Sequence, residues 1–246
     1  MISPAPLASS PAPRTNHFLA ALDQGDYFAL MAKAKIVDLK FGKSILHQDE
    51  PVDAVYFPLT CMFSLQVVSD ERPRMELAII GNEGIVGASE ALHGWVAMGL
   101  SIIQVSGAAV RIEASAFEAL GANRPHIQRL IYQHFYALVR QILYSAACNH
   151  IHSMEERCAR WLLMTHDRAG TDTFPVTQLF LSRMLGVRRA TVNVATGTLK
   201  QAGLIRYVRG NVTVVNRAGL ESASCSCYQA ITKVYSSLFS EPTLPL

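Results

Sequence analysis

No aspartate or glutamate occurs between Thr173 and Leu220, whereas Arg183, Arg188, Arg189, Lys200, Arg206, Arg209 and Arg217 all fall in that stretch. The whole chain carries a formal net charge of only +3, so the positive field belongs to one C-terminal segment and points to an anionic partner there. Also missing is any run approaching the ~18 to 20 uninterrupted apolar residues of a membrane helix. A cytoplasmic protein with no membrane partner is expected. The opening MISPAPLASSPAPR has no charged start leading into an apolar run, and its prolines would break a helix; it reads as a disordered tail over 1–14, with a second tail over 237–246. The five cysteines, Cys61, Cys148, Cys158, Cys225 and Cys227, are odd in number and scattered, which favours reduced thiols over a disulfide framework. Cys225 and Cys227 flank one residue of an expected terminal helix, where their side chains would diverge, so apolar packing is favoured over metal capture or redox sensing. Catalytic signatures are lacking too: there is no HExxH, no GxSxG elbow, no GxxxxGK(S/T) loop and no GxGxxG after a strand. An enzyme is not expected.

Half the residues are hydrophobic and 17% are charged, a globular composition in a chain long enough for two domains. HFLAALDQGDYFALMAKA reads as two short helices broken near Asp23 to Gly25. From Lys35 to Ile112, short alternating runs such as VDAVYF, MFSLQVV, MELAII, SIIQV and AAVRI are separated by turn residues, which predicts an all-β barrel or roll without helices. Helical period returns at Ala114, and Pro125 to His150 has no internal Pro or Gly, predicting one helix of about 39 Å. Its apolar positions form two stripes. Ile127, Ile131, Phe135, Leu138, Ile142 and Ala146 make one; Tyr132, Tyr136, Val139, Leu143 and Ala147 make the other. Burial on two sides suits a roll on one face and a second copy of the helix on the other. The dimer role is assigned to Ile131, Phe135, Leu138 and Ile142; a helix buried inside one monomer is the alternative. A capping pair, Ser153 and Glu156, opens a further helix to about Arg168. The predicted fold is α+β: a β-roll with flanking helices over 15–124, a dimerisation helix over 125–150, a hinge near 149–154 and a basic domain over 151–236.

Within that basic domain, VTQLFLSRMLGVRRATVNVATGTLKQAGLIRYVRGNVTVVN carries the functional signal. Gln178 to Leu185 is helical with Leu181 and Leu185 inward, Gly186 permits a left-handed turn, Val187 plugs it, and Ala190 to Gln201 resumes with Val192, Ala195 and Leu199 inward. The pattern is helix, tight turn, helix. Arg188, Arg189, Thr191, Asn193 and Thr196 are left on the outer surface of the second helix, with Lys200 further along; these types bond base edges and phosphates. Gly203 ends the helix, and LIRYVRGNVTVV reads as a hairpin turning at Gly210 and Asn211. With Arg206 and Arg209 it forms a wing for neighbouring phosphates.

The order β-roll, long helix, winged helix-turn-helix resembles the Crp/Fnr superfamily of bacterial transcription regulators over nearly the whole chain past residue 15, and MLGVRRATVNVATGTLKQAGLIRYVRGNVTVVNRAGLE is similar to one branch of it. The resemblance implies sequence-specific binding of double-stranded DNA by a homodimer on a palindromic operator, and contact with RNA polymerase. It implies phosphate contact for Thr177, with Gln178 beside it, and guanine reading for Arg189. Ala190 and Val194 depart from the Glu and Arg of cyclic-nucleotide-type members, so a different operator is expected. IIGNEGIVGASEALHG stands where the family's phosphate-binding cassette would be. It has Ala88 at the expected Glu, and no Arg or Lys occurs between Arg74 and Arg111; a buried cyclic phosphate would lack a counter-charge. No cyclic nucleotide is expected, and Glu83 and Glu90 read as surface or turn residues. No cysteine precedes Cys61 to hold an N-terminal iron–sulfur cluster. For haem only the lone His47 or His93 could be nominated. The expected cofactor set is therefore empty, and no metal ligands are assigned. The rival reading is a nonspecific nucleic-acid anchor whose β-roll binds a partner protein.

Overall fold

The computed structural model describes residues 12–69 and 74–239. The N-terminal tail expectation falls mostly on residues 1–11, outside the described residues; Pro13–Thr15 already form a 3-10 turn. Helices α1 (His17–Ala21) and α2 (Gln24–Met31) follow, capped by Asn16 and Asp23, whose side chains accept from Leu19 and Asp26 backbone N–H groups. Asn16 is fully buried, and its Nδ2 donates to the carbonyls of Pro58 and Gly84 at 2.9 Å, anchoring this end to the sheets.

Seven strands form two antiparallel sheets: β1 (Ala34–Leu39), β2 (Ser44–Leu46), β3 (Ala54–Pro58), β4 (Met62–Val67), β5 (Met75–Ile80), β6 (Leu100–Val105) and β7 (Gly107–Glu113). The strand orders are β1-β7-β3 and β2-β6-β4-β5. Alternation places Ala54, Tyr56 and Ala109 between the sheets with Phe63, Ile80 and Ile103, while Val55, Phe57, Ala108, Val110 and Ile112 face outward. That outer face is covered by Phe18, Leu30, Phe117 of α4 (Ala114–Gly121) and Ile127. Every residue of β3 is buried because both faces of its sheet are covered.

The helix-free expectation for this region fails at α3 (Ala88–His93). Gly87 and Gly94, at φ 81° and 65°, let the chain enter and leave a six-residue helix abruptly. A helix in this stretch has to bury a charge. The fold accepts that burial: Glu90 is 9% exposed and its carboxyl is pushed above the usual range by desolvation.

The long helix α5 (Pro125–Ile151) and α6 (Met154–Ala169) flank His152 and Ser153, and Ser153 with Glu156 completes the capping box. Strand β8 (Thr173–Pro175), helices α7 (Gln178–Met184) and α8 (Arg189–Gln201), strands β9 (Ile205–Val208) and β10 (Asn211–Val214), and helices α9 (Arg217–Ser222) and α10 (Cys227–Ser236) complete the chain. β8 joins β10 as a third strand of the wing sheet, where a plain break was expected. Of the expected C-terminal tail, 240–246 lie outside the described residues. Leu238 is buried, and the Phe239 ring meets Phe18 edge-on at 5.8 Å.

α5 also closes the sheet edge at β5. Gln141 Nε2 donates to the Ile79 carbonyl at 3.2 Å, and the Ile85 N–H donates to His134 Nε2 at 3.5 Å. A Cβ on Gly84 would lie 2.4 Å from that ring nitrogen, so only glycine permits the approach. Burial lowers the His134 pKa to about 4, against a weaker opposing pull from Glu83. The imidazole is therefore neutral when folded, and between pH 6.5 and 4 the unfolded chain binds the extra proton. Its contribution is complete above pH 6.5 and lost as pH falls toward 4, about 3 kcal/mol in all. Glu76, raised to about 7 by burial, acts with opposite sign over part of this range. The measurement is therefore a difference: chemical denaturation of wild type and His134→Gln from pH 4 to 7 should show the wild type losing stability relative to the variant as pH drops.

Candidate nucleic-acid interface

The turn between α7 and α8 is built by its own sequence. Gly186 sits at φ 65°, its N–H donates to the Arg183 carbonyl at 3.2 Å, and the Val187 N–H donates to the Ser182 carbonyl at 3.0 Å. These paired bonds end α7 as a Schellman motif. Leu181, Leu185, Val192, Ala195 and Leu199 share one buried cluster with Leu162, Leu163, Phe174, Val212 and Leu220. This holds α8 by one face and presents the other.

On that free face Arg188, Arg189, Thr191, Asn193 and Lys200 are exposed, joined by Val194 at 66% exposure. Thr196 is not among them. It is 2% exposed, and its hydroxyl donates back to the Val192 carbonyl at 2.8 Å. It follows Ala195 on the inward side of the helix, so the sequence assignment of Thr196 to the outer surface is corrected. Val194, noted in the sequence only as a departure, takes the outward place.

Thr177 caps α7, its Oγ1 accepting from the Phe180 N–H at 3.1 Å, and Gln178 Nε2 donates to Asn193 Oδ1 at 2.7 Å, tying the first helix to the exposed side of the second. The wing turns at Arg209 and Gly210, with φ 49° and 79°, while Asn211 already belongs to β10; the turn lies one residue earlier than the sequence suggested. The wing tip lies against Thr177, since a Cβ on Gly210 would meet Thr177 Cγ2 at 3.4 Å. Arg206 and Arg209 are exposed on this hairpin. The structure thus brings Thr177, Gln178 and Asn193 together beside the exposed Arg188, Arg189 and Thr191 and the wing tip at Arg209, while Arg206 lies further along β9, on the opposite sheet face from Tyr207. Arg217 is drawn away from this surface by ion pairs with Asp167 at 2.7 Å and Glu221 at 2.9 Å.

This unit is docked on the β-roll. Arg168 Nε and Glu83 Oε1 form an ion pair at 2.7 Å with both side chains under 10% exposed, and Glu83 also accepts from the Gly81 N–H. Glu83 does lie in a turn, but it is not a surface residue. Trp161 Nε1 donates to Glu76 Oε1 and Ser64 Oγ to Oε2, both at 2.6 Å. Inside the roll a cavity of about 40 Å³ is lined by Val86, Ala88, Glu90, His134, Phe135 and Leu138, among others, with no Arg or Lys.

Of the four residues assigned to dimerisation, Ile131 and Leu138 face their own chain, Ile142 is half-buried and Phe135 is exposed. Ile131 and Leu138 are 1% and 7% exposed within the two roll clusters, Ile142 packs beside Leu138, and Phe135 lines the cavity at the helix edge. The exposed apolar face is mainly the other stripe, Tyr132, Tyr136, Val139 and Leu143, with Phe135 beside it at 38% exposure. Both stripes are apolar, so periodicity could not tell which met the roll. The cysteine expectation also changes. Cys225 lies in the turn ahead of α10, outside the helix, so helical phase does not separate it from Cys227; both are buried with Cys148 and His152 in one cluster. A second group, Asp23, Asp26 and His126, is more open, and Asp26 already pairs with Arg124.

Residues 156–223 match the Crp-like helix-turn-helix domain family. The fold is similar to that of FixK2 from Bradyrhizobium japonicum (TM-score 0.66, 17% identity, 78% of this chain and 98% of that one). It is similar to a CRP/FNR-family transcriptional regulator from Thermus thermophilus (0.64, 21%, 77% and 98%) and to the c-di-GMP-responsive global regulator CLP of Xanthomonas campestris (0.64, 14%, 78% and 99%). No curated protein sequence matches the chain.

A non-glycine residue in the left-handed region costs ~1 kcal/mol or more, less for asparagine. Arg209→Asn is therefore expected to raise unfolding stability by about 0.5–1 kcal/mol in urea titrations while removing the guanidinium from the wing tip. Equal or lower stability would show that the Arg209 backbone is unstrained.

Proposed function

We propose that this chain, which has the fold of Crp/Fnr-family transcriptional regulators and a Crp-like helix-turn-helix DNA-binding domain, acts as a cytoplasmic homodimer that reads a palindromic operator and recruits or blocks RNA polymerase. The observation that carries this reading is the outer face of α8: basic and amide side chains flank an exposed valine, with no carboxylate in the sequence from Thr173 to Leu220. Arg189 reads a guanine through its paired N–H groups, Asn193 and Thr191 bond neighbouring base edges, and Val194 packs on a thymine methyl. Arg188, Lys200, Arg206, Arg209 and Thr177 hold phosphates on either side, with Gln178 fixing Asn193. The functional division is a sensor over 15–124, the helix over 125–150 and the DNA-binding unit over 151–236.

Dimerisation uses the exposed stripe of α5. Tyr132, Tyr136, Val139 and Leu143 recur at intervals of four, three and four, the seam of a parallel coiled coil, and leaving Leu143 at 60% exposure on a monomer has no compensating contact. A signal at the β-roll reaches the operator through the Glu83–Arg168 and Glu76–Trp161 contacts, which join the roll to α6. On this reading the signal is not a cyclic nucleotide: Ala88 stands where the family resemblance expects a carboxylate, and the cavity lining has no Arg or Lys to compensate a cyclic phosphate.

Selection from a random duplex library, followed by footprinting, tests the reading. Recovery of an inverted repeat with half-sites about one helical turn apart is expected. Uniform, salt-sensitive binding with no enriched sequence would establish the nonspecific anchor instead. On the recovered operator, Arg189→Ala should cost about 1–3 kcal/mol at a single base pair and relax preference there, whereas Arg209→Ala should weaken all duplexes alike and lower the salt slope by about one. Leu143→Glu should give monomers in sedimentation with the fold intact. Leu138→Ala should leave the dimer and cost about 2–5 kcal/mol of folding stability; the reverse pattern would return the dimer role to the inner stripe.

A further inference from the structure

Four metal-binding side chains, from segments more than seventy residues apart, converge at the joint between α5 and α6. Cys148 lies one turn before the end of α5 and His152 caps that end; Cys225 precedes α10 and Cys227 opens it. The Sγ atoms of Cys148 and Cys225 are 3.4 Å apart, Cys227 Sγ is 3.7 Å from His152 Nδ1, and all four ligand atoms lie within 4.8 Å of one another. Sulfur ligands on a tetrahedral zinc ion stand about 3.8 Å apart, so the Cys148–Cys225 pair has to open slightly and the wider pairs to contract by about 1 Å or less to close on an ion. The three cysteines are buried and the histidine half-buried, as in a site that excludes solvent.

The surrounding charge is an independent observation. Arg157 and Arg160 of α6 are 9% and 6% exposed, and neither forms an ion pair among the described residues. Arg157 donates to the Leu185 carbonyl at 2.7 Å, Arg160 faces the Met164 sulfur at 3.3 Å, and Nε of each has no partner. Both lie close to the cysteine cluster, Arg160 beside Cys148 and Glu76, and Arg157 near Cys148 and Cys225. Two buried guanidiniums require a nearby counter-charge. Three thiolates around one divalent cation carry a net charge of −1 and supply it.

We propose that Cys148, His152, Cys225 and Cys227 form a structural zinc site that clamps the C-terminal helix α10 to the end of α5, immediately before the DNA-binding unit. Four protein ligands leave no open position, which makes the site structural and not catalytic. The Cys148 and Cys225 sulfurs already lie at hydrogen-bond distance, 3.4 Å. Closing the site on zinc releases the protons of the thiols and uses the lone pair of an imidazole nitrogen of His152. Cys61 and Cys158, each buried apart from the cluster with pKa raised to about 12, take no part.

The full chain, purified in reductant without chelator and desalted after incubation with zinc, is expected to hold one zinc per chain by elemental mass spectrometry. Cobalt in its place should give thiolate charge-transfer bands and the intense visible bands of a tetrahedral centre. Cys225→Ser should bind at least tenfold more weakly in chelator competition, Cys61→Ser and Cys158→Ser should match wild type, and Cys227→His should keep the metal with a shifted cobalt spectrum. Should Cys225→Ser fail to fold, the cobalt spectrum of the wild-type chain decides alone. Sub-stoichiometric zinc, cobalt without thiolate bands, zinc retained in both Cys148→Ser and Cys225→Ser, or a Cys148–Cys225 disulfide in the reduced preparation would each overturn the proposal.

Discussion

Along α5, Ile127, Leu130, Ile131, His134, Leu138 and Gln141 are buried against the roll, and the placement of everything C-terminal to them depends on that contact. The inner face satisfies an exposed strand edge through Gln141 and a turn N–H through His134, so it is specified by hydrogen bonds as well as by apolar area. Fixing the helix this way leaves Tyr132, Tyr136, Val139 and Leu143 on the opposite side, sets Cys148 and His152 facing α10, and delivers the chain at Ser153 in the direction that α6 continues.

From α6 onward the molecule is joined to the roll by polar bonds through largely buried groups. Breaking one partner of Glu83–Arg168 would strand a buried charge, a cost of about 3–5 kcal/mol, and the same applies in milder form to Trp161 and Glu76. Such contacts hold the DNA-binding unit in a defined orientation, and a change in the roll that moves Glu83 or Glu76 alters that orientation. In a dimer, orientation sets the distance between the two α8 helices, the quantity to which a palindromic operator responds.

The α8 surface combines two kinds of information. On the proposed reading, Arg188 and Lys200 supply affinity that any duplex would share, and Arg189, Asn193 and Val194 supply the preference among sequences. Gln178 reaches across from α7 to hold the Asn193 amide, so that exposed amide has a fixed position in the free chain. The wing is pinned to the same place, because Tyr207 donates to the Val176 carbonyl at 2.7 Å and the tip rests on Thr177.

Much of this was legible in the residues alone, where local physics decides. The glycine turn at Gly186, the Ser153 and Glu156 cap, the unbroken helix from Pro125 and the acid-free segment after Thr173 depend on neighbours a few positions away. What escaped depends on partners distant in sequence. Thr196 sits at a helix boundary between faces, and only the packing of α6 against α8 turned it inward. Two apolar stripes on α5 have equivalent periodicity, and only the roll's strand edge chose between them. Glu83 looks like a turn residue until Arg168 arrives from 85 positions away. Cys225 and Cys227 look unremarkable until the end of α5 brings Cys148 and His152 to meet them. Spacing in sequence encodes the face of a helix or strand; which faces and side chains meet is a property of the packed chain.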